Sequence, residues 1–83
     1  MAIAHLAAYE EFVEFITSSP TLEQISELHF SHETEARISA LLQANREGML
    51  AADEAAELDE YLRLEYLMRK AKLRAIEKLD LRK

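Results

Sequence analysis

The sequence predicts an all-α fold: a small helical bundle of about four helices, ending in one long C-terminal helix. Three observations predict it. Apolar residues recur at three- and four-residue spacing through most of the chain, which is the period of an amphipathic helix. One glycine and one proline among 83 residues leave few places to turn, and both fall between periodic segments. Start and stop signals, Ser31 before one such segment and Gly48 after it, bracket the pattern.

The first helix is expected over 2–17, with Ile3, Leu6, Tyr9, Val13 and Ile16 as its inward stripe and Phe12 and Phe15 widening it. Glu10, Glu11 and Glu14 hold the opposite, solvated side. Thr17-Ser18-Ser19-Pro20 ends the segment. Ser19 before Pro20 is one start signal for the next helix, and Thr21 with Gln24 offers a competing capping box. That short helix, about 21–28, presents Leu22, Ile25 and Leu28. A third helix follows over 32–46, with Ser31 as N-cap and Glu33 and Glu35 in its first turn, where the helix dipole favours acids. Its buried side is expected to be Ile38, Leu41 and Leu42, and Gly48 is the expected left-handed residue beyond its end.

The fourth helix is expected over 52–80, with Asp53, Glu54 and Glu57 at its start and Lys72, Arg74 and Lys78 toward its end. At ~1.5 Å per residue such a helix spans roughly 43 Å. A compact chain of this length has a radius of gyration of about 12 Å and a diameter near ~30 Å. The last two or three turns are therefore expected to overhang the body or to pack on something else. Eighty-three residues make a single domain, 1–83, burying roughly 60–65 % of its unfolded surface.

Composition narrows the function classes. The absence of cysteine excludes disulfides, thiolate metal sites and a cysteine nucleophile. No charged-then-apolar leader opens the chain and no stretch approaches the ~18 apolar residues of a membrane span, so the expected location is cytoplasmic. The net charge of −6 is unevenly spread: residues 1–60 carry thirteen acids against two bases (Arg37 and Arg46), and residues 61–83 carry three acids against eight bases. An acidic body with a basic tail repels nucleic acid through the one and attracts a basic partner.

On a helical wheel, regular spacing along the fourth helix picks out Leu58, Tyr61, Glu65, Met68, Lys72, Ala75 and Leu79 as one seam. Leu62, Leu64, Ala71 and Ile76 flank the seam, and Tyr66 and Leu73 extend it. That arc exceeds the ~100° stripe that one neighbouring surface covers, and the surplus is the sign of an interface. The expected partner-binding residues are Leu58, Tyr61, Leu62, Glu65, Met68, Arg69, Lys72, Ala75, Ile76 and Leu79. Glu65, Arg69 and Lys72 interrupt this surface. Their stems can run out to water with Glu65 and Arg69 as an ordinary i,i+4 pair. Alternatively they fix register, as polar core positions do in coiled coils, and an antiparallel self-pair centred near Met68 would set Glu65 of one copy against Lys72 of the other.

Catalytic and metal chemistry find little footing. His29-x-x-His32 beside Glu33 straddles a helix start and falls short of the three or four ligands that zinc requires, so no metal or other cofactor is expected. No nucleophile elbow frames a serine, and one glycine cannot build a phosphate loop. The chain is read as no enzyme. Arg69-Lys70-Ala71-Lys72-Leu73-Arg74 places four cations in six residues, yet the helix offers no set of polar side chains for reading bases, which ranks nucleic-acid binding low.

Arg37-Ile38, Leu41-Leu42, Asn45-Arg46-Glu47-Gly48 and Ala56-Glu57-Leu58-Asp59 carry a resemblance. Tyr61-Leu62, Leu64-Glu65-Tyr66-Leu67 and Lys72-Leu73-Arg74-Ala75 continue it, and Phe30-Ser31 and Ser19-Pro20 extend it to about two-thirds of the chain. These residues resemble a recurring type of small bacterial helical protein, often encoded beside short nuclease genes of the HNH or toxin kind. The chain departs from that type at Ala51-Ala52, where Thr-Pro or Ser-Pro is usual, and at Leu73, where alanine is. The resemblance implies an antitoxin-like or accessory protein that binds a small basic partner such as a nuclease. The runner-up is a structural helical homodimer.

Overall fold

The computed structural model describes residues 7–82, which form four helices: α1 (Ala7–Ile16), α2 (Leu22–Ser26), α3 (His32–Arg46) and α4 (Ala52–Leu81). Ile3 and Leu6 of the expected first stripe lie outside the described residues. The caps explain most of the boundaries. Thr21 caps α2 with a reciprocal box: its hydroxyl accepts from the Gln24 amide at 3.1 Å, and its own amide donates to the Gln24 side chain at 2.9 Å. Ser19, the competing start, instead turns the chain at a φ of 57°. Ser31 accepts from the Thr34 amide at 3.2 Å and starts α3.

The end of α3 depends on Gly48 at a φ of 70°, a backbone conformation in which a Cβ would be strained. That turn lets the Met49 amide donate to the Ala44 carbonyl at 2.9 Å and the Gly48 amide to the Asn45 carbonyl at 3.1 Å, which is a Schellman closure. The start of α4 is half made. Glu54 reaches back to the Ala51 amide at 3.0 Å, but alanine has no oxygen to return the bond. Ala51→Ser should therefore raise stability by about 0.5–1 kcal/mol, read as a shift of the urea midpoint at unchanged slope; an unchanged midpoint would show that the Asp53 carboxylate, which accepts from the Glu54 amide at 3.0 Å, already does the work of the cap.

α4 is the spine. It runs unbroken for 30 residues and sets the long axis of a molecule measuring 49 × 23 × 18 Å, with a radius of gyration of 14.8 Å. The core gathers on one side of it, where Ala8 of α1 and Leu41 of α3 meet Leu58, Tyr61, Leu64 and Met68. Phe30, from the α2–α3 connection, packs edge-on against the Tyr61 ring at 6.5 Å.

Two expectations are corrected here. The last turns of α4 do not stand bare: α2 folds back onto them, Glu23 faces Arg82 at 3.9 Å, and Ala75 is buried to 2 %. Alanine at this position leaves room for a second helix to approach. The inward face of α1 is also rotated from the expected stripe. Ala8, Tyr9 and Phe12 pack on the core, whereas Val13 and Ile16 are exposed. Ala8 is buried to 1 % in the core cluster, and Tyr9 and Phe12, on the same side of α1, follow it inward.

Polar ties fix α1 and α3 to this spine. Tyr9 donates its hydroxyl to Glu60, and this bond, with partial burial, raises the Tyr9 pKa. Arg37 grips Glu57 with two parallel bonds of 2.7 and 2.8 Å, and the guanidinium holds the Glu57 carboxyl below the usual carboxylate range. Because the folded-state pKa is the lower one, the pair stabilises the fold above the unfolded value of about 4.3. That contribution disappears as pH falls through the folded value. The Arg37 side chain is half exposed, so the screened contribution is about 0.5–1 kcal/mol. Arg37→Met should lose that much at pH 7 and progressively less in acid. A deficit independent of pH would show that packing of the stem, not the charge pair, is responsible.

Candidate docking surface

The structure divides the ten residues expected to meet a partner. Leu58, Tyr61, Met68 and Ala75 are buried among the chain's own side chains, so they are unavailable to a partner. Leu64, expected only to flank the seam, is buried with them. Glu65, Lys72 and Leu79 are half-buried, and only Leu62, Arg69 and Ile76 are open to solvent. The physical reason is that α1, α2 and α3 occupy the centre of the predicted arc, which displaces the uncovered portion to one side.

What remains uncovered is a second stripe. Leu62, Tyr66, Leu73 and Ile76 are 41, 61, 56 and 43 % exposed, with Arg69 between them. At ~100° per residue these positions lie about a third of a turn from the buried stripe. They also repeat at alternating four- and three-residue steps, the spacing of a seam between paired helices. Leu67, exposed as well, points away from both stripes. Tyr66 and Leu73 were absent from the predicted set, although the same 3–4 spacing, counted from Leu62 instead of Leu58, finds them both.

Charged side chains on this side are held along the helix. Arg69 and Glu65 form the expected i,i+4 pair at 3.4 Å, and the Lys70 ammonium lies 5.6 Å from the centre of the Tyr66 ring. Arg63 pairs with Glu60 at 3.1 Å and Arg74 with Glu77 at 3.6 Å. Arg69 and Lys72 share one side of the helix and Lys70 and Arg74 lie on nearly the opposite side, so the four do not line up along a single phosphate backbone.

A groove of about 280 Å³ runs beside the stripe, between the His29-Phe30 connection and Arg69, Lys72, Leu73 and Ile76. It adjoins a second hollow of about 190 Å³ under Phe12, Phe15 and Leu28. Phe30, Met68, Leu73 and Ile76 make the larger groove mainly apolar. Tyr61, whose ring packs in the core against Phe30, has its hydroxyl pKa raised, first by burial and then by the nearby Glu57 charge.

His29 places Nδ1 2.8 Å from the Phe30 carbonyl oxygen, a contact within the connection itself. Among the described residues, no three histidine, aspartate or glutamate side chains converge as metal ligands do, and no helix is long and apolar enough to cross a membrane. Comparison with known proteins finds no matching family model, curated protein or solved structure.

Proposed function

We propose that this chain is a non-catalytic protein-docking module, antitoxin-like or accessory in type, whose docking element is the uncovered side of α4. The observation that carries the reading is the stripe of Leu62, Tyr66, Leu73 and Ile76 on an unbroken 30-residue helix. Large apolar side chains at helical spacing are what a helix offers to another helix or to an apolar groove. Covering them supplies affinity, and the aromatic Tyr66 has the character of an anchor.

The charge distribution supports the antitoxin-like form of this reading. Exposed acids on α1, α2 and α3 (Glu10, Glu14, Glu23, Glu33 and Glu35), with Glu27 just past the end of α2, lie over the body, and the Arg37 charge is already paired with Glu57. A small basic protein such as a nuclease would be drawn to that surface, chiefly through a faster encounter. The nuclease identity itself comes from the resemblance.

The test is tagged full-length chain, expressed at native level in cells that encode it, isolated beside its Leu73→Glu variant and examined by mass spectrometry. A companion in fixed ratio, retained by the wild type and lost by the variant, is expected. The same companions on both baits would remove the α4 stripe from the interface.

A further inference from the structure

We infer that the α4 stripe pairs with the same stripe of a second copy, antiparallel, in one register. The inference rests on the docking reading above and names its occupant. Three features of α4 lead to it, and the first is its charge. Residues 52–62 carry five acids and no base, of which Glu57 is held by Arg37 and Glu60 by Tyr9 and Arg63, whereas residues 69–82 carry six bases and two acids. A wholly basic or wholly acidic partner would suit only half of this helix. A second copy running the opposite way lays each acidic half along a basic half, whereas a parallel copy would set like against like.

The second feature is register. In antiparallel helix pairs, residues on one seam line meet residues on the other. If Leu62 meets Leu73 of the second copy, then Tyr66 meets Arg69 by the same symmetry, and both contacts occur twice. The leucines close the apolar seam, and the guanidinium lies against the tyrosine face, the arrangement that Lys70 already makes within the chain at 5.6 Å. No seam position then faces its own like charge. At each end of the seam Ile76 falls opposite Asp59 of the second copy, whose carboxylate stays in water at the open edge, and the rim retains one repulsive approach, Arg63 to Lys70 of the second copy. Both are exposed, and Arg63 is already held by Glu60, so solvent screens the repulsion.

The third feature is space. The buried and uncovered stripes are about 120° apart around α4, so a neighbouring helix lies alongside without displacing α1, α2 or α3. The pairing centre therefore falls between Leu67 and Met68, but on the uncovered side of the helix and not on the buried Met68 side chain. A dimer of this form keeps the acidic surfaces of both bodies free for a basic partner.

The absence of cysteine makes the register directly testable. Leu62→Cys and Leu73→Cys are prepared as separate full-length variants, each confirmed as helical by circular dichroism, then oxidised alone and as an equal mixture. The mixture is expected to yield a disulfide-linked pair of the two variants, with little product from either alone. Identical positions in this register lie roughly 16 Å apart along the helices, beyond the Cα separation of about 7 Å that a disulfide spans. Efficient linkage of either variant to itself would overturn the antiparallel register.

Light scattering of the wild type at several hundred micromolar should give twice the 9.6 kDa chain mass, and Leu73→Glu should weaken association by about 30-fold or more. A monomeric mass there overturns self-pairing. The docking reading survives that result if the cellular experiment still finds a companion sensitive to Leu73→Glu, and falls with it if no such companion appears.

Discussion

Leu41→Ala should leave much of the chain unfolded at room temperature. Leu41 is 1 % exposed and, among the described residues, is the largest side chain fully enclosed by the fold, wedged from α3 into the cluster of Ala8, Leu58, Tyr61, Leu64 and Met68. Truncating a leucine in such a place costs about 2–5 kcal/mol, the transfer of the lost atoms plus the cavity they leave. A single small core without staples rarely supplies more than about 3–5 kcal/mol, and this chain has no disulfide to add. The expected observation is a urea midpoint moved to near zero denaturant, with much of the helical signal at 222 nm lost. Met49→Ala is the control: Met49 is 74 % exposed, so its change should stay within about 0.5 kcal/mol. If Leu41→Ala and Met49→Ala shifted the midpoint equally, α3 would not be packed on α4 as described.

The bounds of α3 and α4 were legible from sequence, whereas α2, expected over 21–28, spans only Leu22–Ser26, the expected start of α1 at residue 2 lies outside the described residues, and the faces the helices turn inward were less legible still. Ser31, Gly48 and the Asn45-Arg46-Glu47 run fixed α3 at 32–46 because caps act locally, through atoms within four residues of the boundary. The long α4 was equally plain, since no glycine or proline falls between 52 and 81. Which part of its apolar arc is buried is a tertiary matter. A wheel measures how wide an arc is, but α1, α2 and α3 decide where it is covered, and α2 is too short to announce that it folds back. Ala8 and Ala75 were the available clues. Small residues inside apolar stripes mark where helices come close, and both proved to be among the most buried positions.

The same distinction makes Leu62 and Met68 behave oppositely when each is replaced by glutamate, although both belonged to the expected partner surface. Met68 is 6 % exposed, between the core cluster and the α2–α3 connection, and the half-buried Lys72, one turn on, lines the same groove. A carboxylate there must either swing out of the core toward Lys72, leaving a cavity behind, or stay among apolar side chains and remain protonated through a raised pKa, and either course costs several kcal/mol. Met68→Glu should therefore lose its cooperative melt at pH 7 and regain part of its helical signal toward pH 4, where the protonated form is cheaper to bury. The sign follows from linkage: a carboxyl whose folded pKa is raised destabilises the fold as pH rises through the carboxylate range. Leu62 is nearly half exposed, so Leu62→Glu puts its charge in water. The stability of the monomer should change by about 0.5 kcal/mol or less, leaving its melting midpoint nearly in place, while association through α4 is lost. Circular dichroism melts at pH 4 and pH 7, run with light scattering, separate the two. Equal destabilisation by both variants would mean that the Leu62 side of α4 is covered within a single chain, leaving no uncovered stripe to dock.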